Sequence, residues 1–102
     1  MFVVRRIFKV KKGTARKAAE LITQIGAGYQ EAGQRTPSRV YLSGGSVPGP
    51  ADTVYMEWVE EALRSAYREN NPVPPGLNDL YKQLRELQEE TSIEFYELYS
   101  GA

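Results

Sequence analysis

The 102-residue chain contains no cysteine and no histidine. Without cysteine it has no disulfide framework, no thiolate nucleophile and no cysteine-ligated zinc or iron–sulfur centre. Without histidine it has no Ser-His-Asp triad and no histidine-ligated haem, zinc or non-haem iron. A metal would have to be bound by carboxylates alone, and no acidic stretch has the spacing of an EF-hand. The composition therefore predicts a protein with neither metal nor cofactor.

Long apolar runs are also missing. No stretch approaches the roughly 18 apolar residues of a membrane span. Arg5 and Arg6 interrupt the first apolar run after four residues, whereas a secretory signal needs about 7–15. We therefore expect a cytoplasmic protein that does not bind membranes. A domain has roughly 100–200 residues, so residues 1–102 are expected to form a single one.

The formal net charge of zero hides an uneven distribution. Nine of the 13 basic residues, but only two of the 13 acidic residues, lie within residues 1–39. A basic half is typical of nucleic-acid or membrane binding. The simpler hypothesis is that the two halves neutralise each other in the folded chain or across a dimer. RNA-recognition strands require positive charge, whereas the predicted third strand carries Glu57. We therefore expect no nucleic-acid partner.

Apolar periodicity predicts a mixed order of strands and helices. Residues 43–52 (SGGSVPGPAD) lack periodicity and join two strands, which favours a hairpin loop over a phosphate-binding loop. Thr14 and Gly33 are the expected caps of the first helix. Gly26 and Gly28 within that helix indicate either close packing or early fraying. The predicted strands are 2–10, 39–43, 53–59 and 93–99, and the predicted helices are 15–32, 60–69 and 77–90.

This order predicts an α+β, ferredoxin-like βαββαβ fold, in which two helices cover one face of a four-stranded antiparallel sheet. The other face would then be bare although its strands are rich in aromatic and apolar side chains. Such a patch usually marks a partner or a ligand. We therefore expect a homodimer in which the two sheets pack face to face.

The run YMEWVEEAL, residues 55–63, leads to Tyr67 and resembles the dimeric α/β-barrel superfamily. Its antibiotic-biosynthesis-monooxygenase-like and NIPSNAP-like members are the most similar. The resemblance implies two sheets that form one barrel, with a cavity between each sheet and its helices or loops. Members include cofactor-free oxygenases, haem-degrading enzymes, isomerases and many proteins of unknown activity. Tyr67 stands nearest to the position at which the family commonly has histidine, and the lack of histidine disfavours haem degradation.

Arg6 is the charged residue of greatest interest, because period-2 alternation places it on the same strand face as Phe2, Val4 and Phe8. A desolvated arginine needs a carboxylate or an anionic ligand. Glu57, Glu94 and Glu97 are candidate partners, so a structural salt bridge and a ligand-binding role both remain open. The aromatic side chains of the strands fit either a cavity or an interface. The candidate cavity residues are therefore Arg6, Tyr41, Tyr55, Glu57, Trp58, Tyr67 and Tyr96.

Two functional hypotheses follow. The first is a cofactor-independent, monooxygenase-like enzyme, or a binder of a small aromatic or apolar molecule. The second is a non-catalytic structural or interaction homodimer whose aromatic residues form the interface. In oxygenases of the resembling family, an asparagine or tryptophan assists proton transfer. Here Asn70, Asn71 and Asn78 lie in or near a proline-rich loop instead of the first strand, so no catalytic residue is assigned.

Overall fold

Four strands and two helices make up the part of the chain that the computed structural model describes, residues 1–63 and 72–99. The strands form one antiparallel sheet in the order β2-β3-β1-β4. This arrangement confirms the predicted ferredoxin-like βαββαβ fold. The elements are β1 (Phe2–Val10), α1 (Ala15–Glu31), β2 (Arg39–Ser43), β3 (Thr53–Glu60), α2 (Asn78–Leu87) and β4 (Gln88–Glu97).

The core lies between the helices and one face of the sheet. Successive side chains of a strand point to opposite faces, so alternate residues of the two central strands are buried there. The predicted apolar face of β1 is confirmed by this burial, and β3 buries alternate residues in the same way. The buried strand residues are Val4, Phe8 and Val10 of β1 and Val54, Met56 and Trp58 of β3, and α1 packs Leu21, Ile22, Ile25 and Tyr29 against them.

Gly26 and Gly28 let α1 pack closely on its neighbours. A Cβ atom on Gly26 would lie 2.5 Å from the Oγ of Ser38 and 2.7 Å from the Cε of Met56. A Cβ atom on Gly28 would lie 2.6 Å from the Cδ2 of Leu77, the residue that precedes α2. The close-packing interpretation of these two glycines is therefore correct, and α1 remains helical through both.

The two predicted caps of α1 behave differently. Thr14 occupies the N-cap position, but its Oγ1 donates to the carbonyl of Lys11 at 2.6 Å and caps no helix amide. Gly33 adopts φ +73° just after the helix, a left-handed conformation that costs glycine little. The predicted helix stop is thus confirmed, whereas the side-chain cap is not formed.

The boundary between α2 and β4 differs from the prediction. The helix ends at Leu87 and the strand begins at Gln88, so residues 88–90 are extended and not helical. These residues lie opposite the end of β1, where Lys9 pairs with Glu90 and Val10 with Gln88. Pairing with the central strand therefore prevails over the helix-favouring composition of QEE, because sheet context outweighs intrinsic propensity.

The short helix predicted for residues 60–69 is only partly testable. Glu60 is the last residue of β3, and residues 61–63 are not helical. The remainder of that prediction, together with Tyr67, Asn70 and Asn71, lies outside the described residues. Asn78 is the first residue of α2.

The face of the sheet opposite the helices is here named the open face, because no described helix covers it. Its side chains alternate with the buried core residues along each strand and, apart from the buried Thr53 at the start of β3, are half-buried or exposed. Charged and aromatic residues dominate it, so it is more polar than the sequence prediction of a largely apolar face. The open face comprises Val3, Arg5, Ile7 and Lys9 of β1, Arg39 and Tyr41 of β2, Tyr55, Glu57 and Val59 of β3, and Glu90, Ser92, Glu94 and Tyr96 of β4.

Truncation of the single tryptophan tests this core. Trp58 is 5 % exposed, so Trp58→Ala is expected to lower the free energy of unfolding by about 3–5 kcal/mol. Tyr99→Ala is the control, because Tyr99 is 89 % exposed and its loss should change stability by less than about 0.5 kcal/mol. Urea unfolding followed by circular dichroism measures both. A loss below about 1 kcal/mol for Trp58→Ala would contradict the buried position.

Candidate functional site

The candidate residues predicted from sequence are divided between the two faces of the sheet. Tyr41, Tyr55, Glu57 and Tyr96 lie on the open face, whereas Arg6 and Trp58 point toward the helices. Tyr67 lies outside the described residues. The structure therefore forms two separate clusters where the sequence suggested one.

The first cluster, on the open face, is centred on Arg5. Its Nη2 and Nε donate to the Oε1 of Glu94 at 2.6 and 3.0 Å. The guanidinium carbon lies 5.6 Å from the ring centroid of Tyr55 and 5.3 Å from that of Tyr96. The hydrogen bond to Glu94 raises the pKa of Arg5 above its usual value. Tyr96 also donates its hydroxyl to Glu94 at 2.6 Å, so this arginine is already paired.

On the same open face, a second set of contacts surrounds Glu57. Its Oε2 accepts a hydrogen bond from the Nη2 of Arg39 at 2.5 Å, and its Oε1 accepts one from the hydroxyl of Tyr41 at 3.0 Å. The Arg39 hydrogen bond is the main reason that the pKa of Glu57 lies below its usual value. The rings of Tyr41 and Tyr55 stack with centroids 5.1 Å apart.

These contacts correct the prediction for Arg6. Glu57 and Glu94, two of its three proposed partners, lie on the open face and are paired with Arg39 and Arg5. Arg6 points to the helix side, where its guanidinium carbon lies 5.0 Å from the ring centroid of Phe8. Among the described residues no carboxylate is within salt-bridge distance of Arg6.

The helix side holds a second cluster around Arg35, a residue of the loop between α1 and β2. Its guanidinium carbon lies 3.8 Å from the ring centroid of Tyr29 and 4.2 Å from that of Trp58. The cation therefore lies against two aromatic rings, an arrangement favoured by the ring quadrupoles. Burial lowers the pKa of Arg35, and the nearby charge of Arg6 lowers it further. We name Arg6, Tyr29, Arg35, Trp58 and Tyr81 the arginine–aromatic cluster.

The aromatic members of this cluster have hydrogen-bond partners that hold them in place. Tyr81 of α2 donates its hydroxyl to the hydroxyl of Tyr29 at 3.0 Å, which links the two helices. The indole Nε1 of Trp58 donates to the Oε1 of Glu60 at 3.0 Å. Burial raises the pKa of Tyr81, so its phenol is a donor and not a base at neutral pH.

The loop that carries Arg35 is attached to the end of β3. The Oγ1 of Thr36 donates to the carbonyl of Val59 at 2.9 Å and accepts a hydrogen bond from the backbone amide of Val59 at 3.3 Å. A shallow depression of about 310 Å³ opens beside this attachment. Its lining comprises Met1, Gly33, Gln34, Arg35, Thr36, Val59, Glu60 and Glu61.

A second depression of about 390 Å³ lies on the open face. It is lined by Pro50 and by residues of three strands, namely Arg5, Ile7 and Lys9 of β1, Thr53 and Tyr55 of β3, and Glu90, Thr91, Ser92 and Glu94 of β4. Its principal cation, Arg5, is already bonded to Glu94. The depression beside Arg35 is therefore the better candidate for a ligand site.

No protein-family model and no curated protein matches the sequence. Several solved structures match over nearly their whole length. An uncharacterized NIPSNAP domain protein from Burkholderia xenovorans is 16 % identical, with a TM-score of 0.70 over 100 % of this chain and 98 % of that chain. A NIPSNAP family protein from Agrobacterium tumefaciens is 16 % identical, with a TM-score of 0.72 over 99 % and 95 %. Another protein from the same organism is 18 % identical, with a TM-score of 0.74 over 100 % and 97 %.

The chain has the fold of NIPSNAP-domain proteins. The resemblance inferred from residues 55–63 is thus supported at the level of the fold, with the NIPSNAP-like branch as its structural match. The activity of the two named neighbours gives no guide, because one of them is described as uncharacterized and the other only by its family.

Within this NIPSNAP fold, Arg35 is the functional candidate that the sequence analysis missed. It lies in a loop between Gly33 and Pro37, where no hydrophobic period marks a buried position. Tyr29 lies within the predicted first helix, but nothing in the sequence places its ring beside Trp58. Only the packing of α1 on β3 brings both ring centroids within 4.2 Å of the guanidinium carbon of Arg35.

Residues 1–63 and 72–99 contain no group of three or more acidic side chains placed to hold a metal ion. They also contain no helix that combines the length and the apolar character needed to cross a bilayer.

Removal of Arg39 tests the electrostatics of the open face. We expect Arg39→Gln to raise the pKa of the Glu57 carboxyl, because the strongest hydrogen bond to the carboxylate is lost. Carboxyl-carbon NMR titration measures this shift. Arg16→Gln is the matched control, since Arg16 is exposed on α1 and should leave the titration unchanged.

The same contact predicts a pH dependence of stability. The pKa of Glu57 is lowered in the folded chain, so the Arg39–Glu57 contact stabilises the fold above the unfolded carboxyl pKa. This contribution is lost as the pH falls through the folded pKa. The stability difference between the parent and Arg39→Gln should therefore shrink in acid. An unchanged Glu57 titration in Arg39→Gln would contradict the assignment.

Proposed function

We propose that this protein is a homodimer in which each protomer binds a small aromatic or apolar molecule where the loop between α1 and β2 meets the end of β3. The observation that carries this proposal is the half-buried guanidinium of Arg35, packed against Tyr29 and Trp58 beside a depression of about 310 Å³. That volume is at the lower end of the roughly 300–1,000 Å³ of ligand pockets. Among the described residues, Arg35 has no salt-bridge partner.

The occupant proposed for the open face is a second copy of the chain. Each of its three bases lies directly opposite an acid on a neighbouring strand. The face is therefore electrically balanced, and a second copy meets no net charge of its own sign. Half-buried Val3 and Ile7 and the partly exposed rings of Tyr41 and Tyr96 supply apolar area. The three cross-strand pairs are Arg5–Glu94, Lys9–Glu90 and Arg39–Glu57.

Binding, and not oxygenation, is the activity that the described residues favour. A cofactor-independent oxygenase needs a group that removes a proton from its substrate. In the arginine–aromatic cluster, the pKa of Tyr81 is raised, and its phenol therefore stays protonated. Monooxygenase-like activity remains a prediction from the family resemblance.

A structural homodimer without a ligand is the second candidate. It is favoured by the near-complete burial of Trp58 and by the mutual contacts of Tyr41, Tyr55 and Tyr96 with charged neighbours. Under this hypothesis the aromatic residues stabilise the core and the interface, and the depression beside Arg35 holds only solvent.

Dimerisation is tested by placing an acid in the open face. Light scattering should give about twice the protomer mass of 11.5 kDa for the parent protein. Ile7→Asp and Tyr41→Asp should each reduce this to the monomer mass, because a buried unpaired carboxylate is costly. Val73→Asp is the matched control, since Val73 is exposed and lies outside the sheet. A monomer mass for the parent at micromolar concentration would contradict the proposal.

Ligand binding is tested with the intrinsic fluorescence of the single tryptophan. A screen of quinones and polyphenols should contain compounds that change Trp58 emission saturably, because Trp58 contacts the cation beside the depression. Calorimetry on each hit should give one site per protomer. Oxygen uptake measured with the same hits would detect oxygenase activity. Flat responses across the screen, with the dimer verified, would favour the structural homodimer.

A further inference from the structure

The guanidinium of Arg35 packs against two aromatic rings, and its hydrogen-bond donors remain available. Its carbon lies 3.8 Å from the ring centroid of Tyr29 and 4.2 Å from that of Trp58. The five N–H donors of an arginine lie in the guanidinium plane, along its edge. None of them donates to an acceptor among the described residues. No unpaired polar atom among the described side chains is fully buried, so these donors are accessible to solvent.

The charges around this edge restrict the ligand. Burial disfavours the cation and Arg6 adds a second positive charge nearby, whereas the charge of Glu60 acts in the opposite direction. The first two effects favour an anion, because an arginine removed from water is stabilised by a negative partner. Glu60 and Glu61 line the same depression, and Glu60 is already hydrogen-bonded to the indole of Trp58. These carboxylates repel an anionic ligand, and they repel one with two negative charges more strongly than one with a single charge.

The shape of the site also favours a ligand with one carboxylate group and a small apolar body. A guanidinium edge matches a planar carboxylate, which can accept two parallel hydrogen bonds. Met1 and Val59 contribute apolar surface to the depression. Its volume of about 310 Å³ limits the remainder of the ligand to a small body.

We propose that the ligand of this site is a small monocarboxylate with an apolar body, with its carboxylate on the edge of Arg35 and that body in the depression beside Val59. This inference rests on the proposed ligand-binding function and specifies the chemical class. Arg35 acts as the specificity-determining residue, because it distinguishes an acid from a neutral molecule of the same shape. Trp58 and Tyr29 position the guanidinium without contributing a charge.

The test compares three probes that share one ring system, namely 2-naphthoate, 2-naphthamide and 2-naphthyl phosphate. The single tryptophan gives one indole N–H signal in a ¹H–¹⁵N spectrum, and the contact with Arg35 makes that signal a reporter of the site. We expect 2-naphthoate to shift the signal saturably. The amide should bind roughly tenfold or more weakly, since it lacks the charge-assisted bonds. The phosphate should also bind more weakly than the carboxylate.

Substitutions of Arg35 test whether this residue causes the preference for the acid over the amide. Arg35→Gln should abolish the preference for 2-naphthoate over 2-naphthamide while changing amide affinity less than about twofold. Arg35→Lys should retain part of the preference, because it keeps the charge but loses the planar edge. Arg16→Gln removes the same charge from an exposed position of α1 and should leave both affinities unchanged. The dispersion of the remaining signals verifies that each variant is folded.

The outcomes separate this inference from the proposed function. Equal binding of acid and amide to the parent would overturn the inference and leave small-molecule binding intact. An acid preference that survives in Arg35→Gln would overturn the role of Arg35. Tighter binding of the phosphate than of the carboxylate would overturn the monocarboxylate assignment. If no probe binds to the folded dimer, both the inference and the ligand-binding function are wrong.

Discussion

Successive side chains of a strand point to opposite sides of a sheet. In this molecule the alternation along β1 is the constraint on which the other contacts depend. β1 is the one strand that pairs with both β3 and β4, so its alternation sets which residues of those strands share a face. Arg5 and Arg6 are adjacent in sequence but act on opposite sides. Arg5 is neutralised on the open face by Glu94, whereas Arg6 enters the helix side beside Phe8.

The helix side depends on this alternation together with close packing of α1. Gly26 and Gly28 allow α1 to approach Met56 of β3 and Leu77 before α2. In this packing the ring centroids of Tyr29 and Trp58 lie 3.8 and 4.2 Å from the guanidinium carbon of Arg35. Trp58 thus serves the core through its burial and the candidate site through its ring face. Core packing and site geometry are therefore coupled in one residue.

The two halves of the chain, basic and acidic, meet in the folded sheet. Arg5–Glu94 and Arg39–Glu57 each join a base from the first 39 residues to an acid from the remainder. Antiparallel pairing places these residues opposite one another, so basic and acidic residues from the two halves of the sequence form ion pairs within one protomer. These two pairs agree with the expected neutralisation of the two halves in the folded chain.

Sequence patterns alone determined the order of strands, the long first helix, the apolar face of β1 and the ferredoxin-like fold, because each depends on a local period of apolar residues. Only the tertiary structure decided that α2 ends at Leu87, since pairing of the next residues with β1 outweighs their helical preference. It also decided that Glu94 pairs with Arg5 instead of Arg6, and that Arg35 packs against two rings. These contacts join residues far apart in the chain, and no local period specifies which distant side chains will meet.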